Sequence, residues 1–405
     1  MAKGKKGDGS AAPAAPLSAE AKARTAWLIA GGMGMHFLGS MLGMQAEQEI
    51  WIRHFAGNFG ANARMNATLQ SISGVISFII NPIIAAITDA YGRRGMMIVG
   101  MVLSFWRCAS MVASPSILNT VIGDLSRSLT MSTFFISSQA AMGDLFKSEP
   151  KLYSKYQSMT AMMPPAMSIV CPMVGQKLAA RDLRLPYAVG AAIYVVNIAS
   201  ALFVLPETLQ AADRVPFSVR GSNPLTFTKL FVNGARMRLL ATLEAVSAMV
   251  DGRATFQIGM LQKREYFGWD MQQAARFQSL SSALYVPGFF LVSPIVNAVG
   301  ITAAMLAGSG KTHDHCWQLG CILPRVPAMI VRTGAQVIQN IIYGLSRESW
   351  HVYTALVTSP FRALPQVALK TSQMQAGVAA GAHPRLLPPP GPAHARSSDT
   401  VTAHP

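Results

Sequence analysis

The most constraining feature of the sequence is a charged turn between two long apolar runs, within residues 81–97, which read NPIIAAITDAYGRRGMM. The first run ends at Asp89, and Gly92, Arg93 and Arg94 lead into the second. Backbone inside a bilayer must stay helical, so a tight polar turn joins two helices only where water begins. Gly92 permits the backbone angles of such a turn, and the arginine pair favours the cytoplasmic side.

The composition agrees with a chain that crosses the bilayer repeatedly. Of the 405 residues, 51% are hydrophobic and 13% are charged, whereas soluble domains carry about a quarter charged residues. A net charge of +16 would suggest nucleic acid binding in a soluble protein. The basic residues here cluster in short loops between apolar runs, however, as orientation in a membrane requires. We therefore expect a multi-pass integral membrane protein that is surrounded by lipid and binds no nucleic acid.

The first half of the chain reads as a basic tail followed by six membrane-spanning helices. Residues 1–24 are rich in alanine, proline and lysine, which predicts a disordered cytoplasmic tail. The six helices are predicted within 25–208, near residues 25–44, 66–88, 95–113, 117–145, 156–179 and 186–205. Residues 45–64, which include Glu47 and Trp51, are predicted to form an outside loop between the first two helices.

The second half is less regular, and we expect about ten spans in the whole chain. Residues 209–236 are predicted to be a cytoplasmic central loop, 237–381 an incomplete second half, and 382–405 a disordered tail. Helices are predicted near residues 239–260, 271–299, 323–345 and 352–368. A misread gene model would explain the irregular stretches at 300–322 and 382–405.

An internal repeat supports two related halves. The pattern Phe-Gly-x9-Gln-Ser-x-Ser begins at Phe59 and again at Phe267, 208 residues later. Each copy lies at the entry to the second helix of its half. Two helical sets of like design are the arrangement expected of a transporter built from a parallel repeat.

The turn at Asp89-x-x-Gly92-Arg93-Arg94 resembles the loop between the second and third helices of the major facilitator superfamily. The family pattern is Gly-x-x-x-Asp-Arg-x-Gly-Arg-Arg, and four of its six positions match. The resemblance implies an all-α transmembrane bundle of two pseudo-symmetric six-helix halves. A generic cytoplasmic turn with two orienting arginines is the alternative.

A second resemblance to the family lies at the end of the sixth predicted helix. Pro206-Glu207-Thr208 resembles the Pro-Glu-Thr signature that many members of the superfamily carry at this point. In the predicted fifth helix, Pro172 and Gly175 match two positions of the Gly-Pro-x-x-Gly-Gly motif of drug–proton antiporters. A proline kink beside a packing glycine explains the second pair equally well.

The family resemblance implies a conformational latch made of Asp89, Gly92, Arg93, Arg94 and Asp144. Carboxylates near an arginine at a membrane edge form charge-assisted bonds that a rocking motion can break. In the family this network holds the outward-facing state. A static staple between loops is the alternative, and we favour the latch.

Charged residues inside predicted spans are candidates for substrate binding or coupling, because intramembrane charges are expensive and usually face a cavity or each other. Arg107 lies in the third predicted helix, and Asp124 and Arg127 lie three residues apart in the fourth, on one face. Asp124 with Arg127 is either a buried pair or part of a proton-coupling site. Glu244 and Asp251 are the candidates from the second half.

Other motifs carry less weight. GSGKT at residues 308–312 lacks the first glycine of a phosphate-binding loop, since Met305 stands there, and the full motif also requires a preceding strand. The His and Cys residues within 313–321 match no common zinc spacing. Catalytic motifs of the Gly-x-Ser-x-Gly or HExxH kind are absent from the sequence. We therefore expect no metal, no cofactor and no enzymatic activity.

The sequence predicts a secondary transporter, nearest to the drug or tetracycline-type proton antiporters of the superfamily. A small-molecule substrate would bind between the halves while they rock around it, and protons would drive efflux. We expect a monomer with its N-terminus in the cytoplasm. A non-transporting sensor or a degenerate remnant on the same fold is the second hypothesis, and an integral-membrane enzyme is the third.

Overall fold

The computed structural model describes residues 18–147, 149–218, 263–298 and 348–354, with the single positions 238, 242, 261, 338, 341, 342, 345 and 356. Seven α-helices follow one another in the first two ranges: α1 (Ala19–Leu42), α2 (Met44–His54), α3 (Phe59–Tyr91), α4 (Arg93–Ala113), α5 (Ile117–Leu145), α6 (Pro150–Arg181) and α7 (Leu185–Phe203). Two more helices, α8 (Met271–Ala298) and α9 (Ser349–Thr354), lie further along the chain. The described residues contain no β-strand.

Local sequence explains where several helices begin and where α3 ends. Ser18, Asn58 and Ser116 precede α1, α3 and α5, and each side chain accepts a hydrogen bond from a backbone N–H three residues on, at 3.2, 3.0 and 3.3 Å. Such caps satisfy donors that the helix itself leaves free. α3 ends at Gly92, whose φ of 108° and ψ of 159° form a conformation that is essentially restricted to glycine.

The helices α1 and α3 to α7 form a bundle. α4 packs mainly against α5 and α7, α1 against α6 and α7, α3 against α5, and α8 against α6. Buried apolar side chains fill the space between them, among them Ile29, Met33, Met101, Phe134 and Tyr194. Because successive helices alternate in direction, the end of α3, the start of α4 and the ends of α5 and α7 meet at one end. We call this the turn end, and the other the opposite end.

The outer surface of the bundle is apolar, as a lipid environment requires. Three described helices are both long and apolar enough to cross a membrane: α3, α4 and α7. α5 has 29 residues and, at about 1.5 Å per residue, is also longer than the hydrocarbon core of about 30 Å. Large side chains point away from the protein, including Trp106 at 70% exposure and Phe203 at 85%. An exposed apolar surface of this kind is typical of a membrane-embedded protein.

The observed helices follow the predicted ones closely, with two corrections. Residues 19–24, predicted as part of a disordered tail, belong to α1 (Ala19–Leu42). The predicted outside loop at 45–64 is wrong over most of its length, because α2 (Met44–His54) follows directly after α1 and α3 already begins at Phe59. α2 buries Ala46, Glu47, Ile50 and Trp51. These residues recur at intervals of three or four, so they share one helix face. Glu47 is therefore part of the protein interior and not of a solvated loop.

Several predictions lie outside the described residues. The predicted helices near 239–260, 323–345 and 352–368 lie almost entirely there, and so do residues 1–17 of the first tail, the second tail and most of the predicted central loop. The helix predicted near 271–299 is confirmed as α8. The boundaries of the two halves stay predictions.

Candidate functional site

At the turn end, Arg93 is bonded to two carboxylates from neighbouring helices. Its Nη1 forms an ion pair with Asp89 in the last turn of α3, and its Nε donates to Oδ2 of Asp144 near the end of α5, at 2.9 Å. The Arg93 side chain is only 9% exposed, whereas those of Asp89 and Asp144 are 49% and 29% exposed. One arginine therefore ties three helices together at a partly solvated edge.

The first backbone N–H groups of α4 are capped by Glu207, which follows α7. Its Oε1 accepts from the Arg93 N–H at 2.9 Å, and its Oε2 accepts from the Arg94 N–H at 3.2 Å. A carboxylate is favourable there because the first N–H groups of a helix lack partners and carry a partial positive charge. A side chain at Gly92 would start 2.5 Å from the Glu207 Oε2. Glycine is thus required there both by the backbone and by this carboxylate.

The Arg94 side chain donates hydrogen bonds to the end of α7. Its Nε donates to the carbonyl of Ala201 at 3.0 Å, and its Nη2 donates to the carbonyl of Leu202. Those carbonyls belong to the last turn of α7, where a cation complements the partial negative charge. The segment after α7 stays at the turn end of the bundle, where the Val215 N–H donates to the carbonyl of Asp89 at 3.2 Å. The start of α4 and the end of α7 therefore cap each other.

The structure brings the predicted latch residues together, and it adds Glu207 to them. We name Asp89, Arg93, Asp144 and Glu207 the turn network. The sequence singled out Pro206-Glu207-Thr208 by resemblance to a family signature and by its position at the end of the sixth predicted helix. The geometry gives Glu207 a specific contact with α4, and its Oε1 also accepts from the Thr208 N–H at 3.1 Å.

Deeper in the bundle, four charged residues from three helices form a second group, which we name the buried charge cluster: Glu47 of α2, Arg107 of α4, and Asp124 and Arg127 of α5. The Oε2 of Glu47 accepts from Arg107 Nη2 at 2.7 Å and from Arg127 Nη2 at 2.6 Å. Arg127 Nη2 is 3.5 Å from Asp124 Oδ1. All four side chains are 11% exposed or less.

Glu47 is the member of this cluster that the sequence analysis missed. The predicted intramembrane charges Arg107, Asp124 and Arg127 do meet, but the acid that binds both arginines comes from α2. The charge imbalance among the predicted intramembrane residues could have indicated it. Two arginines and one aspartate inside spans leave one excess positive charge, which is unfavourable in a membrane interior, so a further acid is expected nearby.

A cavity adjoins the cluster at the opposite end. It is a small recess of about 20 Å³, partly open to the outside, with room for about one water molecule. Its lining consists of Met44, Glu47, Gln48, Trp51, Asn62, Asn66 and Leu261. Glu47 thus contacts both the arginines and the cavity. Trp51 is buried, and its indole N–H has no hydrogen-bond partner among the residues that the structure describes.

One contact next to the cluster connects α2 with α8. The Nε2 of Gln45 lies 3.4 Å from the Oε1 of Gln278, and both residues are buried. Gln278 belongs to the second copy of the sequence repeat. The helix that supplies Glu47 is therefore also in contact with the later part of the chain.

The two predicted positions of the antiporter-like motif lie within α6. A side chain at Gly175 would start 2.4 Å from the carbonyl oxygen of Leu42, so glycine lets α6 approach the end of α1 closely. Pro172 is internal to α6, as are Pro164 and Pro165. Packing accounts for Gly175, and a role of the motif in transport stays a prediction.

The remaining candidates are not described by the structure. Glu244 and Asp251 lie outside the described residues, as do the GSGKT stretch and the His and Cys residues within 313–321. Among the residues that are described, no three His, Cys, Asp or Glu side chains converge as metal ligands would.

Comparison with known proteins places this fold in a family. The model of the Major Facilitator Superfamily matches residues 24–311. Tetracycline resistance protein, class C, of Escherichia coli is 20% identical over 241 residues, which are 59% of this chain and 60% of that protein. The chain thus aligns with less than two thirds of this curated relative.

Two solved structures share the fold. The human organic anion transporter MFSD10 (TETRAN) is 15% identical with a TM-score of 0.65, over 88% of this chain and 89% of that one. The nucleoside transporter NupG is 9% identical with a TM-score of 0.59, over 87% of each chain. Identities this low show a common fold alone. The predicted all-α, multi-pass membrane bundle is confirmed.

Proposed function

The chain belongs to the major facilitator superfamily, and we propose that it moves a small molecule across the membrane by alternating access, with protons driving efflux. In this proposal the halves at 25–208 and 237–381 rock about a central binding site while the loop at 209–236 joins them. The turn end and the N-terminus face the cytoplasm, because the Arg93–Arg94 pair lies there.

The observation that carries the proposal is the position of Arg93 between Asp89 and Asp144. The contacts join α3, α4 and α5 through charge-assisted bonds, which are about twice as strong as neutral ones. Both carboxylates are partly exposed, so water can solvate them when the contacts break. A group of this kind stabilises one arrangement of the helices without making it permanent, as a conformational latch must.

Coupling to protons is assigned to the buried charge cluster. Asp124, Arg107 and Arg127 lie within the bundle with Glu47, where a change of protonation alters the charge balance of a poorly solvated site. Glu244 and Asp251 remain candidates from the second half. We choose tetracycline as the first test compound because the curated relative is a tetracycline resistance protein.

The proposal is tested by transport in proteoliposomes with an imposed pH gradient. We expect wild-type protein to move tetracycline, and a protonophore to abolish this flux. Asp89→Asn and Arg93→Ala should slow the flux several-fold while membrane insertion stays intact, because the latched state loses an ion pair at a partly exposed edge, which is worth up to about 1 kcal/mol.

Arg53→Ala is the matched control. It also removes an arginine that forms an ion pair, with Glu49 at 2.9 Å, but the Arg53 side chain is 65% exposed and lies outside the turn network. Its flux should equal that of the wild type. Unchanged flux in both latch variants would remove the latch role. Wild-type vesicles that move neither tetracycline nor any compound of a wider panel would contradict transport itself.

A further inference from the structure

The two acids of the buried charge cluster differ in how well their charge is compensated. Glu47 accepts from Arg107 and Arg127 at 2.7 and 2.6 Å. Asp124 lies 3.5 Å from Arg127, farther than the charge-assisted bonds of about 2.7–2.9 Å that arginines usually form. The two acidic side chains are only 5% and 3% exposed. Burial penalises a charged carboxyl group and nearby cations offset the penalty, so the negative charge is held more firmly on Glu47 than on Asp124.

The carboxyl groups of Glu47 and Asp124 also contact each other, through a side-chain hydrogen bond. Ionised carboxylates only accept hydrogen bonds, so a bond between two carboxyl groups needs one proton on the pair. Arg107 and Arg127 both bind Glu47 and keep its negative charge in place. The proton of the pair therefore belongs to Asp124, which donates it to Glu47.

Protonation of this pair changes the charge inside the bundle. The charged, titratable and hydroxyl groups around it come from neighbouring helices as well as from α5: Ser73 of α3, Arg107 and Cys108 of α4, Arg127 of α5, and Tyr187 of α7. When both acids are ionised, the two positive and two negative charges of the cluster cancel. A proton on Asp124 leaves one positive charge in excess, and a poorly solvated site responds strongly to such a change.

The recess at the opposite end gives water access to the pair. It has room for about one water molecule, and Glu47, Asn62 and Asn66 belong to its lining. The Nδ2 of Asn66 donates to Oδ1 of Asn62 at 2.6 Å. Ser73, two turns further along the same face of α3, donates from its Oγ to the carbonyl of Asp124 at 3.4 Å. A polar face of α3 therefore leads from the recess to Asp124.

We propose that Asp124 holds the coupling proton, with Glu47 as its fixed negative neighbour, and takes that proton up from the opposite end through the recess. The inference rests on the proposed proton-driven efflux and names its proton carrier. One proton from water at the opposite end bonds to the Asp124 carboxylate. It is released at the turn end after the halves have rocked, in exchange for substrate that leaves the cytoplasm.

The test is infrared spectroscopy of the purified full-length protein as the pH is lowered, with no transport step. A protonated carboxyl group has a C=O stretch that is separate from the bands of carboxylates. We expect the wild type to gain this band above about pH 5, where exposed carboxyl groups are still ionised. Aspartate labelled with ¹³C at its carboxyl carbon should shift the band, and labelled glutamate should not. Asp124→Asn should remove it, whereas Asp182→Asn, at an exposed acid, should keep it.

A second pair of variants tests the role of the Glu47 charge. Glu47→Gln removes the negative neighbour that favours a neutral Asp124 and leaves both arginines to that aspartate. The pH midpoint of the band should therefore fall by about one to three units, a change that a merely structural role of Glu47 would not produce. Glu49→Gln, two residues further along α2, is the matched control and should leave the midpoint unchanged.

A third pair of variants tests the access route. Asn66→Leu makes the recess more apolar, so it should slow the exchange of the carboxyl proton for deuterium, which is followed as a shift of the same band in D₂O. Asn81→Leu is the matched control. Asn81 also lies on α3, but 15 residues closer to the turn end, which is about 22 Å along the helix. It should leave the exchange rate unchanged.

Four results would overturn the inference: a wild type without the band, a band that labelled glutamate shifts, a midpoint that does not fall in Glu47→Gln, or an exchange rate that Asn66→Leu leaves unchanged. If a variant does not fold, the isotope labels in the wild type still decide. Proton-driven flux in a protein without the band would contradict this inference and leave the proposed function intact. The band in a protein without flux would do the reverse.

Discussion

The turn network and the buried charge cluster both hold helices together with arginines and carboxylates, yet they differ in exposure. At the turn end, Asp89 and Asp144 are 49% and 29% exposed, and water can replace their bonds to Arg93. In the cluster, Glu47 and Arg107 are 5% and 9% exposed. The first group lies at an edge, and the second lies within the bundle.

This difference in exposure indicates different tasks. An ion pair near solvent contributes little net stability and can break and reform during a conformational change. A buried charge that loses its partner is strongly destabilising, so the cluster can change only when another charge or a proton replaces the one that leaves. The turn network is suited to breaking and reforming during a conformational change. The cluster is suited to a change of protonation.

The largest expected effect comes from removing one arginine of the cluster. Arg107→Met leaves Glu47 with Arg127 alone, and we expect the free energy of unfolding to fall by about 3–5 kcal/mol. Asp89→Asn, at the exposed edge, should lower it by less than about 1 kcal/mol. Denaturant unfolding in detergent, followed by tryptophan fluorescence, measures both.

The double variant Glu47→Gln with Arg107→Met is the control for the cause. It removes one charge of each sign, so it should recover part of the stability that Arg107→Met loses. Equal losses in Arg107→Met and Asp89→Asn would remove the contrast between the two regions.

A smaller effect is expected at the backbone of the turn network. Gly92→Ala forces an L side chain to φ 108° and against Glu207, so it should cost about 1–3 kcal/mol. Gly95→Ala is the matched control three residues away, because nothing lies within 4 Å of its added Cβ. It should be neutral or slightly stabilising, since alanine favours a helix interior over glycine. Equal stability of the two variants, by the same unfolding assay, would show that the turn does not require glycine.

The positions of most helices could be predicted because length and apolarity are encoded locally. The predicted span at 117–145 coincides with α5, and the turn at Gly92 falls where the sequence places it. α2 was missed because its charged residues resemble a solvated loop. What places it inside is its packing against the rest of the bundle, which no local pattern reveals.

The sites were predictable to different degrees for the same reason. Asp89, Arg93 and Asp144 could be named from a motif, whereas the pairing of Glu47 with two arginines depends on residues 60 and 80 positions away. Glu207 was identified by its signature, but its contact with the start of α4 spans 114 positions to Arg93. Interactions over such distances follow from the assembled fold.

Alternating access, as proposed for this chain, requires the opposite end of the bundle to open and close during transport. Gln45 of α2 and Gln278 of α8 meet there at 3.4 Å, so cysteines at these two positions can be bridged by a short bis-methanethiosulfonate reagent. The variants Gln45→Cys and Gln278→Cys are made in a chain whose native cysteines are replaced by serine. The account predicts that bridging stops tetracycline flux and that a reductant restores it, while either single cysteine variant is unaffected. Undiminished flux in fully bridged protein would contradict it.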